Sequence, residues 1–330
     1  MDVIVVGAGV VGLATAFELS RTGHRVTVLS ADLPGSRQSA GLSRIFRLAH
    51  ADGALTDAAA QSLALWEEWE SLAGGVLLDR VGLLLTGDMS EREPHLRRHG
   101  GLEELSGAPH ALAVAHDRWS LERTGAAIRA EATVRFLQMA LDVRLAEVIA
   151  VDRGGVTLSD GMSMDAERVV VCAGPDTYRL MGLAAPRRLR SVRFSFALRE
   201  PRELAPCWIQ RDERISEPFF AVMDGPEHYS VGLSEAASVD VTEADHVRDA
   251  HRRTVAIVGQ VLPGLMPVAE RVIACEYPIN PHGANRALTH DGWDVRHHNG
   301  VLGVTGPSLF KFAPFLGRLA TERLAAQSQP

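Results

Sequence analysis

Residues 2–29, DVIVVGAGVVGLATAFELSRTGHRVTVL, decide the fold. Val3 to Val6 form a short apolar run suited to a parallel strand covered on both faces. Gly7 permits a tight turn, Gly9 lets the chain approach a pyrophosphate, and Gly12 lets the next helix pack closely on the sheet. The helix expected from about Val10 to Thr22 aims its positive end at those phosphates. Gly23 stops it, and a second apolar strand follows. A lone G-x-G-x-x-G also suits a tight turn in any α/β domain. Strand, turn, helix, stop and strand in register predict a dinucleotide held by backbone amides.

The rest of the composition narrows the class. A chain of 330 residues is long for one core and suits two domains. Apolar residues make up 46% and charged residues 23%, as in a soluble globular protein. The net charge of −7 supplies no basic stripe for phosphate neutralisation, so no nucleic-acid partner is expected. No apolar run approaches the ~20 residues of a membrane span, so no membrane partner is expected either. The opening segment lacks a basic n-region and a cleavage site, and Cys172, Cys207 and Cys275 are few for an oxidising compartment; a cytoplasmic location is expected. Of the 34 basic residues, Lys311 alone is lysine, which singles out one place where a compact ammonium replaces a planar fork.

Along the chain, a polar stretch from Ser30 to Gly41 leads into Ser43-Arg44-Ile45-Phe46-Arg47. Residues 57–72 read as an amphipathic helix with Leu63, Trp66 and Leu72 near one face. Val76 to Leu85 reads as strands, 88–118 as loops and short helices, and Ser120 to Ala132 as a helix capped by Ser120. AEVIAVDRGGVTLSDG, with Val148 near its start, predicts a hairpin. ERVVVCAG predicts a buried strand that delivers Gly174 to the edge already formed by the first glycine turn. From about Arg187 to Glu276, short alternating strands (VRFSFALRE, CWIQ, FFAVM, YSVGLS) predict an antiparallel sheet, with one helix at 241–260. GVLGVTG is a strand ending at Gly306, and Lys311 to Ala326 a helix. The histidines at 290, 297 and 298 lie in a polar turn region without ligand spacing, so no metal site is expected.

The acidic residue usually found after the second strand, where it holds ribose hydroxyls, is replaced by Ser30; Asp32 lies two residues on. Ser30 with Arg37 also suits a 2′-phosphate, the NADP alternative. The N-terminal fingerprint, the returning C-terminal glycine strand and the Arg44/Arg47 pair favour an extended cofactor gripped at both ends, namely FAD.

Five blocks carry a resemblance: VIVVGAGVVGLATAFEL; Ser43-Arg44-Ile45-Phe46-Arg47; VVVCAGP near Gly174; Cys275-Glu276-Tyr277 with Pro281; and Phe310-Lys311-Phe312. In this order they resemble the FAD-dependent D-amino-acid oxidase superfamily, closest to its monomeric sarcosine oxidase and N-methyltryptophan oxidase branch. The resemblance implies an α/β chain with a Rossmann-like FAD-binding domain (1–78, 117–185 and 276–330) and an inserted, mainly antiparallel β-sheet substrate domain (79–116 and 186–275). It implies that FAD contacts Gly7, Gly9, Gly12, Ser30, Asp32, Ser43, Arg44, Val148, Gly174, Gly306, Ser308 and Lys311, with Cys275 as a covalent attachment point for the flavin. Arg47 and Lys311 match the pair that binds a substrate carboxylate. The implied reaction oxidises a C–N bond of a small carboxylate-bearing amine, with O2 or another electron acceptor as second substrate. A monomer or weak homodimer is expected.

Departures from the family pattern matter as much. Ser230 stands where those oxidases carry a lysine that aids oxygen use, Ser234 where they carry a histidine, and Phe219 where they carry a tyrosine. Pro307 removes one N–H beside the expected flavin. These changes keep the carboxylate grip and count against fast oxygen use. A flavin dehydrogenase or tailoring enzyme, an NADP-dependent reductase and a non-catalytic flavin-binding protein are the alternatives.

Overall fold

The computed structural model describes residues 1–106, 112–114, 118–202, 204–279 and 291–326. His290 and Pro281 lie outside the described residues. The opening stretch folds as expected: strand Asp2–Val6, helix Val10–Arg21 and strand Arg25–Ser30. The two strands pair in parallel and form the centre of a six-stranded sheet. Its spatial order is Asp294–His298, Val301–Thr305, Arg168–Val171, Asp2–Val6, Arg25–Ser30, Asp142–Leu145, parallel except for the first strand. Strands covered on both faces must be apolar throughout, and Val3 to Val6 and Val169 to Val171 are all buried. Helix Ala313–Ala326 packs on helix Val10–Arg21 and closes one face of this sheet.

A nine-stranded sheet built around strand Arg188–Leu198 forms the second layer. Its antiparallel neighbours His228–Leu233 and Leu265–Pro278, with Phe219–Met223 beyond His228–Leu233, realise the alternation read from 187–276. The expected helix at 241–260 is observed as Glu243–Val261. This layer has its own core, in which Trp208, Phe219 and Tyr229 are fully buried.

Two expectations are corrected. Ser120 to Ala132 is not one helix: Trp119–Glu122 and Ala126–Arg129 are strands, and the helix starts only at Ala130. Tertiary pairing overrides local propensity there, because Trp119–Glu122 joins Leu83–Leu85 in the nine-stranded sheet. Leu72 is 51% exposed, while Trp66 and Trp69 carry the buried face of helix Gly53–Ala73. Among the described residues no helix is long and apolar enough to cross a membrane.

Candidate active site

The first glycine turn is built by close approach. Gly7 has φ +107°, and a Cβ there would lie 2.4 Å from the Cys172 carbonyl oxygen of the neighbouring strand. A Cβ on Gly12 would lie 1.9 Å from the Gly7 carbonyl oxygen, so helix and turn touch backbone to backbone. The backbone N–H of Val10 donates to Ser39 Oγ at 2.9 Å, a contact that the sequence pattern does not announce.

From this turn a cavity of about 840 Å³ extends to Lys311, at the upper end of what ligand pockets span. Gly7, Gly9, Ser30, Asp32, Arg44 and Arg47 line it. Val148, Gly174, Cys275, Gly306, Ser308 and Lys311 line it as well. Gly12 lies behind the wall, in the helix contact just described. Ser43 is also off the wall: its hydroxyl donates to the Asp224 carboxylate. Ser30 Oγ donates to the Asp32 carbonyl at 2.7 Å, and the Asp32 carboxylate accepts from exposed Arg37 at 2.7 Å.

Around the middle of the cavity two arginines share two carbonyls. Arg44 donates to Ser43 O and Ala40 O at 2.7 and 2.6 Å, and to Gln38 O at 2.7 Å. Arg193, from strand Arg188–Leu198, donates to the same Ser43 O and Ala40 O at 3.1 Å each. Its Nε is buried and has no partner among the described residues. Burial, then the facing guanidinium of Arg193, pushes Arg44 down from the ordinary arginine value. The nearby carboxylate, Asp224, is committed to the hydroxyls of Ser43, Ser195 and Ser230. Burial raises its pKa, but those three donors and Arg193 outweigh burial and hold it ionised. The result is a surplus of buried positive charge beside Cys275, whose Sγ lies 4.0 Å from Gln38 O. Ser230 is fully buried in this network and off the cavity wall, whereas Ser234 reaches the wall. Phe219 is core.

At the far end the two residues expected to grip a carboxylate converge on one. Arg47 Nη2 pairs with Asp291 Oδ2, and Lys311 Nζ with Asp291 Oδ1 at 2.7 Å. Lys311 also donates to Ser308 O at 2.9 Å, and its own carbonyl accepts from Ser62 Oγ and Trp66 Nε1. The amphipathic helix thus fixes the backbone that carries the single lysine. Glu122 fixes the other side by accepting the backbone N–H groups of Leu48 and Ala49 at 2.6 and 3.0 Å. Burial raises the Asp291 pKa, but Lys311, Arg47 and His50 outweigh burial and hold it well below the usual carboxylate range. Burial lowers the Lys311 pKa despite Asp291.

His50 is 2% exposed, stands 3.3 Å from Asp291 through Nδ1, and leaves Nε2 buried without a partner among the described residues. Burial pushes its pKa down to about 4. The unfolded chain therefore binds a proton that the folded chain resists, so stability present above pH ~6.5 is lost as the pH falls towards 4. The expected loss is about 3 kcal/mol, measured by urea unfolding across that range. His50→Gln should flatten this slope; an unchanged slope would remove His50 as its cause. Asp291, His50, Arg193, Ser39 and Glu122 were not singled out from sequence. Their partners lie up to 244 residues away, and no local pattern marks them.

A glycine cradle at a helix N-terminus, opening into a cavity with a cationic far end, suits an enzyme that binds a dinucleotide cofactor. The model of the DAO family of FAD-dependent oxidoreductases matches residues 2–323, and the chain belongs to that family. Human peroxisomal sarcosine oxidase is 30% identical over 203 residues, 54% of this chain and 52% of that protein. The mouse protein of the same name is 28% identical over 205 residues, with the same coverage. The chain spans about half the length of these curated relatives. Among solved structures, NikD, described as an unusual amino acid oxidase essential for nikkomycin biosynthesis, superposes with a TM-score of 0.81. Its identity is 22%, over 99% of this chain and 94% of that one. Glycine oxidase from Geobacillus kaustophilus gives a TM-score of 0.78 at 18% identity, over 100% and 95%. Both share the fold.

The residues present fit FAD. The cradle at Gly7 and Gly12 leaves no room for side chains, the cavity of about 840 Å³ runs from that cradle to Lys311, and the buried Arg193 guanidinium, whose Nε has no partner among the described residues, suits a ring that gains negative charge on reduction.

Proposed function

We propose that this chain oxidises the C–N bond of a small amine that bears a carboxylate. The convergence of Arg47 and Lys311 on a carboxylate, within the cavity that starts at the glycine cradle, carries this reading. That the pair already meets the Asp291 carboxylate supports this reading. Lys311 Nζ has three donors and spends two, on Asp291 and Ser308 O, and among the described residues Arg47 spends only Nη2, on Asp291. A substrate carboxylate docks on those remaining donors beside Asp291. This fixes the amine carbon in the cavity by position rather than by acid–base chemistry. When bound, FAD supplies the hydride acceptor. Residues 1–78, 117–185 and 276–330 form the part that holds the cofactor, and 79–116 and 186–275 the part that shapes the substrate pocket. The names of the similar proteins, sarcosine oxidase and glycine oxidase, support the substrate class. In an anaerobic titration, carboxylate-bearing amines bleach the flavin; a protein that stays yellow with every such amine contradicts the proposal.

Cys275 is the proposed covalent attachment point, supported by its place on the cavity wall beside Arg44 and Arg193. Yellow colour should stay with acid-precipitated protein, and Cys275→Ala should release it to the supernatant. Colour released equally by both proteins excludes the bond. A dehydrogenase with poor oxygen use is the second reading. It is favoured by Ser230, a buried hydroxyl tied to Asp224 where the resembling oxidases carry a lysine. Slow return of colour in air, against fast return with an artificial acceptor, distinguishes it from an oxidase.

A further inference from the structure

The far end of the cavity holds more positive charge than a monocarboxylate uses. Arg47, Lys311 and Asp291 together carry one net positive charge. Buried His50 stays neutral near pH 7, so one substrate carboxylate balances this group. Arg211 adds a further cation on the same cavity wall. Among the described residues its guanidinium has no hydrogen bond and no ion pair. Asp212, its chain neighbour, pairs with Arg214 instead.

The position of Arg211 is held by the fold. It follows strand Cys207–Gln210, its N–H donates to Thr86 O at 3.2 Å, and its backbone packs so close to Gly87 that a Cβ there would stand 3.0 Å from the Arg211 carbonyl carbon. Half-buried Arg92 stands close by. Burial, then Arg92 and Arg47, push the Arg211 pKa down to about 10, and Asp291, already paired with Arg47 and Lys311, offsets this only in part.

We propose that the amine substrate is a dicarboxylate whose second carboxylate binds Arg211 while Arg47 and Lys311 hold the first. This rests on the function proposed above and specifies its substrate class. An arginine on the wall of a cavity can take a carboxylate in two parallel bonds and select for it over an apolar side chain.

Non-reacting ligands test this without turnover. Malonate, succinate, glutarate and adipate are titrated into the holoprotein against monoacids of equal chain length, and binding is read from the perturbed flavin spectrum. At least one diacid should bind about ten-fold more tightly than its monoacid. Arg211→Gln should bring that ratio close to one, and Arg211→Lys should retain part of it. Diacids that bind no better than monoacids overturn the inference, as does a ratio that Arg211→Gln leaves unchanged. If monoacids bind and carboxylate-bearing amines bleach the flavin while the ratio stays at one, only this inference fails. If no acid binds and no amine bleaches the flavin, the underlying function fails with it.

Discussion

Lys311→Met is expected to lower the second-order rate of anaerobic flavin reduction about a thousand-fold, equivalent to about 4 kcal/mol of lost transition-state binding. Methionine fills the space of the lysine stem, and the Lys311 main chain would still receive Ser62 and Trp66. What disappears is the point charge. Two consequences follow from one change: the substrate carboxylate loses a partner, and Asp291 keeps only Arg47 and His50. Leaving a buried carboxylate short of its cation destabilises by up to about 3–5 kcal/mol, so a lower melting temperature should accompany the kinetic loss. Lys311→Arg should not restore the rate, because a planar fork cannot occupy the site of an ammonium enclosed by Asp291, Ser308 O and the Phe312 ring. A fall of less than ten-fold in Lys311→Met would remove the lysine from the carboxylate grip.

Gly12→Ala should produce protein that no longer retains flavin. The new Cβ would stand 1.9 Å from the Gly7 carbonyl oxygen and 3.2 Å from Cys172 Cβ, both on rigid elements. Helix and turn must separate, which displaces the cradle itself. The expected cost exceeds about 4 kcal/mol, the range reserved for changes with a severe structural cause. Gly9→Ala is the informative control. Its Cβ meets nothing closer than Ser39 Oγ at 3.6 Å, so the chain should fold and the loss should fall on cofactor affinity alone. The flavin-to-protein ratio and the melting temperature separate these outcomes. Gly12→Ala with full flavin content and an unchanged melting temperature would contradict the close-contact account.

The part of the molecule legible in the sequence is the part governed by local rules. The run GAGVVG between two apolar strands needs only neighbouring residues to be understood, and the cradle matches it. The alternation in VRFSFALRE and YSVGLS likewise marks strands that pair antiparallel around Arg188–Leu198. Ser120 to Glu122, the start of the helix expected over Ser120 to Ala132, is a strand because its register is set by Leu83–Leu85, some 35 residues away. The far end of the cavity was half legible. Arg47 and Lys311 were visible through the resemblance and through the isolation of a single lysine. Asp291 was hidden because an Asp-Gly pair among polar residues reads as an ordinary turn. Arg193 and Arg211 do not stand out among the 34 basic residues; burial and placement on the cavity wall distinguish Arg193, and placement on that wall alone distinguishes Arg211.

The central claim is that Arg47 and Lys311 place a carboxylate-bearing amine against the flavin. Its most direct measurement is stopped-flow, anaerobic flavin reduction by matched pairs of amines, each amino acid set against the same amine without its carboxylate. The account predicts saturable bleaching by at least one amino acid, at least about a hundred-fold slower bleaching by its decarboxylated partner, and loss of that difference in Lys311→Met. Equal rates for the two members of every pair, in a protein that does bleach, would contradict it.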